Sequence, residues 1–500
     1  MELFGNLGIG FDAVLTLANL GYCFLGALLG TLIGVLPGLG PVATIAMLLP
    51  ITYGLPPLSA LIMLAGIYYG AQYGGSTTAI LVNLPGESSS VVTCLDGYAM
   101  ARQGRAGVAL GVAALGSFFA GTVATMIIAA AASPLAEFAL KFGPAEYFSL
   151  MLLGLVAAVV LAQGDFFKAL AMVALGLVLG SVGTDVSSGE ERFTFGIPEL
   201  ADGISFVVLS MGLFGIAEII VNLEHSDKRE VFKQKIGSLL PTRHDLKAAA
   251  KPALRGTLLG SVLGILPGGG AVLSSFTSYT LEKRLAADPS RFGKGAIEGV
   301  AGPEAANNAG AQTSFIPLLV MGLPSNAVMA LMVGAMMIHG IVPGPQIMSE
   351  RPTLFWGLIV SMWIGNVFLI LLNMPLIGIW VRLLQVPYRL LYPIILVFCC
   401  VGIYSINNSA FDVGLALVFG LAGYLFNKLG CEPAPLLLGF VLGPMMEENL
   451  RRAMLLARGD ATVFFTRPIS ATLLALALAL ILLLASPTAR KTREEAFREA

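Results

Sequence analysis

Two stretches of this 500-residue chain gather side chains able to hold an anion or an alkali cation. Residues 68–78 read YYGAQYGGSTT, run through AILV, and reach Asn83-Leu84-Pro85-Gly86-Glu87-Ser88-Ser89-Ser90. Residues 306–314 read ANNAGAQTS, run through FIPLLVM, and reach Gly322-Leu323-Pro324-Ser325-Asn326. Hydroxyls and carboxamides donate hydrogen bonds to a carboxylate. The same hydroxyls, joined by freed backbone carbonyls, coordinate Na⁺. In each stretch the apolar piece between polar cluster and proline is too short to span a bilayer. That spacing suits a hairpin or an interrupted helix with both polar ends near a buried site. The candidate substrate-binding residues are Gly75, Ser76, Thr77, Thr78, Asn83, Asn307, Asn308, Gln312, Thr313, Ser314, Ser325 and Asn326. For a cation the candidates are Gln72, Ser76, Glu87, Ser88, Asn308 and Thr313. The duller alternative is that Ser and Thr bond back to their own helix or glue neighbouring helices.

A second pair of features adds main-chain donors. Gly26, Gly30, Gly34 and Gly38 recur every four residues and end in LPGLGP, Leu36–Pro41. Gly256, Gly260, Gly264 and Gly268 do the same before LPGGG, Leu266–Gly270. The glycine ridge alone reads as a helix-packing device. The break after it cannot continue a helix, and it offers backbone amides to an anion. Gly38, Gly40, Gly268 and Gly270 therefore join the substrate-binding candidates.

Acids inside a membrane protein are functional candidates by default. Glu87 and Asp96 flank the first polar cluster, and Glu298 and Glu304 precede the second. Asp96 and Glu298 are expected in aqueous loops. Asp165 and Asp412 precede apolar segments and are expected to cap helices, with a proton relay as the alternative. Arg102 and Arg105 read as loop-side anchors. No arginine falls within a polar cluster at membrane depth, so an anion would be held by neutral dipoles.

The elements positioning these residues must be membrane helices. The chain is 56% hydrophobic and only 12% charged, against about 25% charged in soluble proteins. Long apolar runs, with Glu146 their one charge, occupy 106–132, 145–162, 203–217 and 471–486. Glycine supplies 59 of 500 residues, well above the usual share of about 7%. The expected fold is an all-α integral membrane protein, a polytopic bundle of about 10–14 segments with broken helices or re-entrant hairpins. The first hydrophobic segment is too long for a signal-peptide core and lacks a basic lead. A net charge of −1 argues against a nucleic-acid partner. The five cysteines and three histidines show no metal or disulfide spacing, so no metal and no enzyme chemistry is expected.

The pattern repeats. GALLGTLIGVLPG (Gly26–Gly38) and GTLLGSVLGILPG (Gly256–Gly268) are identical at 8 of 13 positions. Gly70-Ala71-Gln72 returns as Gly310-Ala311-Gln312, Leu84-Pro85 as Leu323-Pro324, and Pro134-Leu135 as Pro375-Leu376. Two internal repeats are expected, at 11–222 and 254–486, joined by a basic linker at 223–253 and followed by a tail at 487–500. The positive-inside rule places linker and tail in the cytoplasm. Inverted repeats are the expected symmetry, yet those two assignments conflict with a simple inversion. Either some segments are re-entrant or one half holds an extra crossing.

The blocks PGLGPVATIAMLLP and GIYYGAQYGGSTTAILVNLPGESSSVVTCLDGYAMARQGRAG resemble the large membrane subunit of the tripartite tricarboxylate transporters. LPGGGA, GPEAANNAGAQTSFIPLLVMGLPSNA and HGIVPGP are similar to the same family. The resemblance covers essentially the whole chain. It implies a multi-pass protein of the bacterial inner membrane, paired with a small membrane subunit and lipid. It also implies a carboxylate delivered by a periplasmic solute-binding protein, and symport driven by Na⁺ or H⁺ with no other cofactor. An elevator-like movement would suit the duplicated breaks, while a channel-like passive permease for small anions is the alternative. The chain has no G-x-x-x-x-G-K-[ST] segment for ATP.

Overall fold

The computed structural model describes residues 2–36, 39–162, 165–185, 187–224, 236–266, 270–384 and 388–485. Gly38, Gly268, most of the 223–235 stretch and the 487–500 tail lie outside the described residues. Among these, the fold is helical apart from one small antiparallel pair, Gly183–Thr184 with Glu191–Arg192. A helix satisfies its own backbone donors and acceptors, which a lipid environment cannot do. Among the described residues, five helices are long and apolar enough to cross a membrane: Leu17–Gly34, Ala101–Ala139, Phe206–Glu224, Pro352–Asn373 and Ala410–Lys428. Their outer faces carry exposed apolar residues such as Phe24, Val418, Leu421 and Leu425, the surface that lipid would cover.

Two helix pairs form the centre. Leu17–Gly34 lies along Pro57–Val82, and Arg243–Leu263 lies along Glu298–Thr313. The glycine ridges set both approaches. A Cβ on Gly26, Gly30 or Gly34 would strike the carbonyls of Met63, Ile67 and Ala71. A Cβ on Gly256, Gly260 or Gly264 would strike those of Gly302, Ala306 and Gly310. Lipid tails give helices no hydrophobic reason to associate, so this backbone-to-backbone contact carries the packing. Pro57–Val82 is buried on every face from Ser59 to Leu81, and Glu298–Thr313 from Gly299 to Thr313.

The expected breaks appear at both glycine ridges. Leu17–Gly34 stops, and a new helix Pro41–Thr52 starts with proline in its first turn. Arg243–Leu263 stops, and Gly270–Leu285 follows. Pro41–Thr52 and Ala327–Ile338 have 12 residues each, rising about 18 Å and falling short of a crossing. The first polar cluster differs from expectation. It sits mid-way along one uninterrupted helix of 26 residues, Pro57–Val82. The break comes only at Asn83, which closes the helix in the left-handed region at φ 57°. The second cluster is interrupted, at Ser314, between Glu298–Thr313 and Phe315–Met321.

The linker joins the helical body. Its last part is the start of Arg243–Leu263, opened by a capping box in which Thr242 Oγ1 accepts from Asp245 N at 3.2 Å and Asp245 Oδ2 accepts from Thr242 N at 3.0 Å. Arg105 meets Asp245 at 2.8 Å, so this arginine anchors the linker. Asp165 caps Phe166–Gly180 by accepting from Phe167 N at 2.9 Å. Asp412 is not a cap. Ser409 takes that place at its helix, and Asp412 accepts from Asn407 Nδ2 at 2.9 Å.

Candidate transport site

Against Pro57–Val82 of the first central pair, and bounded by Pro144–Leu161, Phe206–Glu224 and Ala434–Leu456, lies a cavity of about 480 Å³. That volume is within the roughly 300–1,000 Å³ usual for small-molecule sites. Four helices begin at its wall. Gly40 and Pro41 open Pro41–Thr52, Gly270 opens Gly270–Leu285, Asn326 and Ala327 open Ala327–Ile338, and Pro433 and Ala434 open Ala434–Leu456. Each such end carries unpaired N–H groups and about half a positive charge. The Asn326 side chain satisfies one of them, accepting from Met329 N at 2.9 Å. No lysine or arginine lines the cavity among the described residues.

Of the candidates read from the sequence, Gly40, Gln72, Glu87, Ser88, Gly270 and Asn326 line this cavity. Gln72 is 1% exposed, and its Oε1 has no hydrogen-bond partner among the described residues. Glu87 sits at the N-terminal end of the Ser88–Ser90 turn and accepts from Ser89 Oγ at 2.5 Å and from Asn307 Nδ2 at 3.1 Å. Gly75 packs under Gly86 and the Glu87 side chain.

The remaining candidates lie off the cavity. Thr78 Oγ1 donates to Val35 O at 2.9 Å and ties two helices together. Asn83 is the helix end described above. Thr313 Oγ1 donates to Ala309 O at 3.0 Å, within its own helix. Ser314 Oγ donates to Gly310 O at 2.7 Å and accepts from Asn326 Nδ2 at 3.2 Å, bracing the Asn326 cap. Gln312 and Ser325 are buried, and each has a side-chain oxygen with no partner among the described residues. Ser76 and Thr77 face a second, much smaller pocket that includes Ser117 and Glu304. Asn308 Nδ2 donates to Ser117 Oγ at 2.7 Å in the same region.

Two acids of the cavity wall were not singled out by sequence reading: Glu218 and Glu432. A lone acid in the apolar run GIAEIIVN and an acid ahead of the helix-opening PAP were the available signals. Asp96 corrects an expectation. It is fully buried rather than in an aqueous loop, and its Oδ1 accepts from Gly295 N at 2.8 Å and Ala296 N at 2.7 Å. Tyr279 Oη donates to its Oδ2 at 3.0 Å. The buried carboxylate thus latches the first half onto the loop ahead of Glu298–Thr313. Glu298 itself pairs with exposed Arg291 at 3.1 Å.

No solved structure matches the chain. An uncharacterized 52.8 kDa protein in the TAR-I ttuC′ 3′ region of Agrobacterium vitis is 59% identical over 499 residues, 100% of this chain and 99% of its own length. An uncharacterized protein in the TAR-II ttuC′ 3′ region of the same organism is 60% identical over 240 residues, 48% of this chain and 99% of its own. Residues 20–438 match the family whose sequence blocks flank the cavity, and the chain belongs to the tripartite tricarboxylate transporter TctA family.

Proposed function

We propose that this chain is the large transmembrane subunit of a binding-protein-dependent secondary transporter. It imports tricarboxylates or related carboxylates by Na⁺ or H⁺ symport across a bacterial inner membrane. The observation that carries this reading is the convergence of four helix N-termini on one cavity, with no lysine or arginine among its described lining residues. Helix ends hold carboxylates through N–H groups and dipoles. Because they do so without a fixed full charge, the ligand can leave again. Its partners are a small membrane subunit and a periplasmic solute-binding protein that delivers the substrate.

The two central pairs, each a glycine-ridged helix against a buried polar helix, support a duplicated unit at 11–222 and 254–486. They support movement of that centre, elevator-like, against the outer helices. Transport then needs no bond-making step. Uptake into proteoliposomes holding both membrane subunits and the binding protein tests the reading, with Na⁺ and pH gradients imposed separately. Carboxylate accumulation driven by one gradient is expected. Flux indifferent to both gradients would instead make the chain a passive permease.

A further inference from the structure

The small pocket behind the cavity holds an acid that the carboxylate site does not use. Glu304 is 1% exposed and lies on Glu298–Thr313. Ser76 Oγ, from Pro57–Val82, donates to its Oε2 at 2.7 Å, the shorter of that hydroxyl's two contacts. Thr93 Oγ1, from the turn after the Ser88–Ser90 segment, donates to its Oε1. Ser117, from Ala106–Ala139, is a third hydroxyl bonded to the carboxylate. The Ser117 oxygen accepts from Asn308 Nδ2, so its own proton points to Glu304. Among the described residues no lysine, arginine or histidine forms an ion pair with Glu304.

Three hydroxyl donors suit the ionised carboxylate. An ionised carboxylate buried without a counter-charge is strongly unfavourable. Two carboxylate oxygens and three hydroxyl oxygens from four separate helical elements form an all-oxygen set, the ligand chemistry of a hard cation. We infer that Glu304, Ser76, Thr93 and Ser117 form a sodium site distinct from the carboxylate cavity. The assignment rests on the symport reading for its role as the coupling site. It replaces Thr313, Gln72 and Ser88 among the cation candidates.

The geometry supplies a route for coupling. Sodium drawn to Glu304 ties the Val91–Thr93 turn to the central helices. That turn directly follows Glu87, Ser88 and Ser89, which line the carboxylate cavity. One helical turn beyond Glu304, Asn307 reaches Glu87 itself. Filling the sodium site therefore orders one wall of the anion site.

Equilibrium binding of radioactive sodium to the purified full-length chain, without carboxylate, tests this. It is paired with melting temperatures in sodium, potassium and choline chloride at equal ionic strength. The wild type is expected to bind sodium saturably and to melt higher in sodium alone, because a ligand of the folded state stabilises it. Glu304→Gln is expected to lose both effects. Thr93→Val and Ser117→Ala, which keep the charge and nearly the volume, are expected to weaken sodium binding about tenfold each. Wild type that treats sodium and potassium alike would overturn the assignment. So would Glu304→Gln, or both hydroxyl variants, with wild-type sodium affinity. Sodium-driven uptake persisting in Glu304→Gln would sink the site and leave symport standing. Sodium binding lost in Glu304→Gln, with wild-type uptake blind to every gradient, would leave the site and sink symport.

Discussion

Asn307 Nδ2 stands 3.1 Å from Glu87 Oε1, and this hydrogen bond joins the buried helix of the second half to the turn that walls the cavity. The two residues are 220 positions apart in sequence. Ser89 holds the same oxygen from within the turn, so Asn307 ties this end of the turn to the buried helix. Asn307→Ala is expected to lower the apparent affinity of uptake by about 10- to 100-fold, the worth of a hydrogen bond to a charged group. Initial uptake rates against carboxylate concentration check this, and an unchanged half-saturation would remove Asn307 from the site.

The glycine ridges predict an asymmetry among glycines. Gly30→Ala and Gly260→Ala each push a methyl into a partner carbonyl, at a cost of about 1–3 kcal/mol or more. Gly54→Ala meets nothing within 4 Å and is expected to be neutral within about 0.5 kcal/mol. Melting temperatures in detergent separate the two classes.

Asp96 predicts a stability loss without any change in charge at the cavity. Asp96→Asn keeps the volume but weakens three bonds across the halves. The expected cost is about 1.5–3 kcal/mol, read as a fall in melting temperature. Asp96→Ala is expected to cost more, because two backbone N–H groups are then left unpaired in a buried place.

The linker carries an acid-sensitive contact. The Thr242 hydroxyl, with further help from the Thr242 backbone and Arg105, holds the Asp245 carboxyl below its ordinary 3.8. A depressed carboxyl stabilises the folded state above that ordinary value, and the stabilisation is lost as pH falls through the lower folded value. Thr242→Val removes the largest cause, so the acid limb of the melting curve is expected to move to higher pH. An unmoved acid limb would show that Asp245 is not held by the cap.

The class of fold was legible because composition alone excludes a soluble surface, and the glycine ridges announced close helix pairs. The broken ends at Gly40 and Gly270 were legible too, since glycine and proline there cannot continue a helix. What the chain did not disclose was sorting in three dimensions. Thr78 and Thr313 look like Ser76 in sequence, yet the first glues helices, the second bonds within its own turn, and Ser76 meets an acid 228 positions away. Asp96 looked like a loop residue because its partners, the amides of Gly295 and Ala296, are equally remote. The helical end of the linker was readable from Thr242 and Asp245 as a capping box, a signal hidden by the surrounding basic charge.

The claim on which the account turns is that a carboxylate sits among the four helix ends. Protection of Val272→Cys from a thiol reagent tests it most directly, in a chain whose five native cysteines are replaced and which still transports. Val272 is partly buried in the cavity wall, in the first turn after Gly270. A tricarboxylate, supplied with sodium, is expected to slow labelling of this position and leave labelling of Gly54→Cys, in open space, untouched. Labelling of Val272→Cys at the same rate with and without a carboxylate that the protein demonstrably transports would contradict the account.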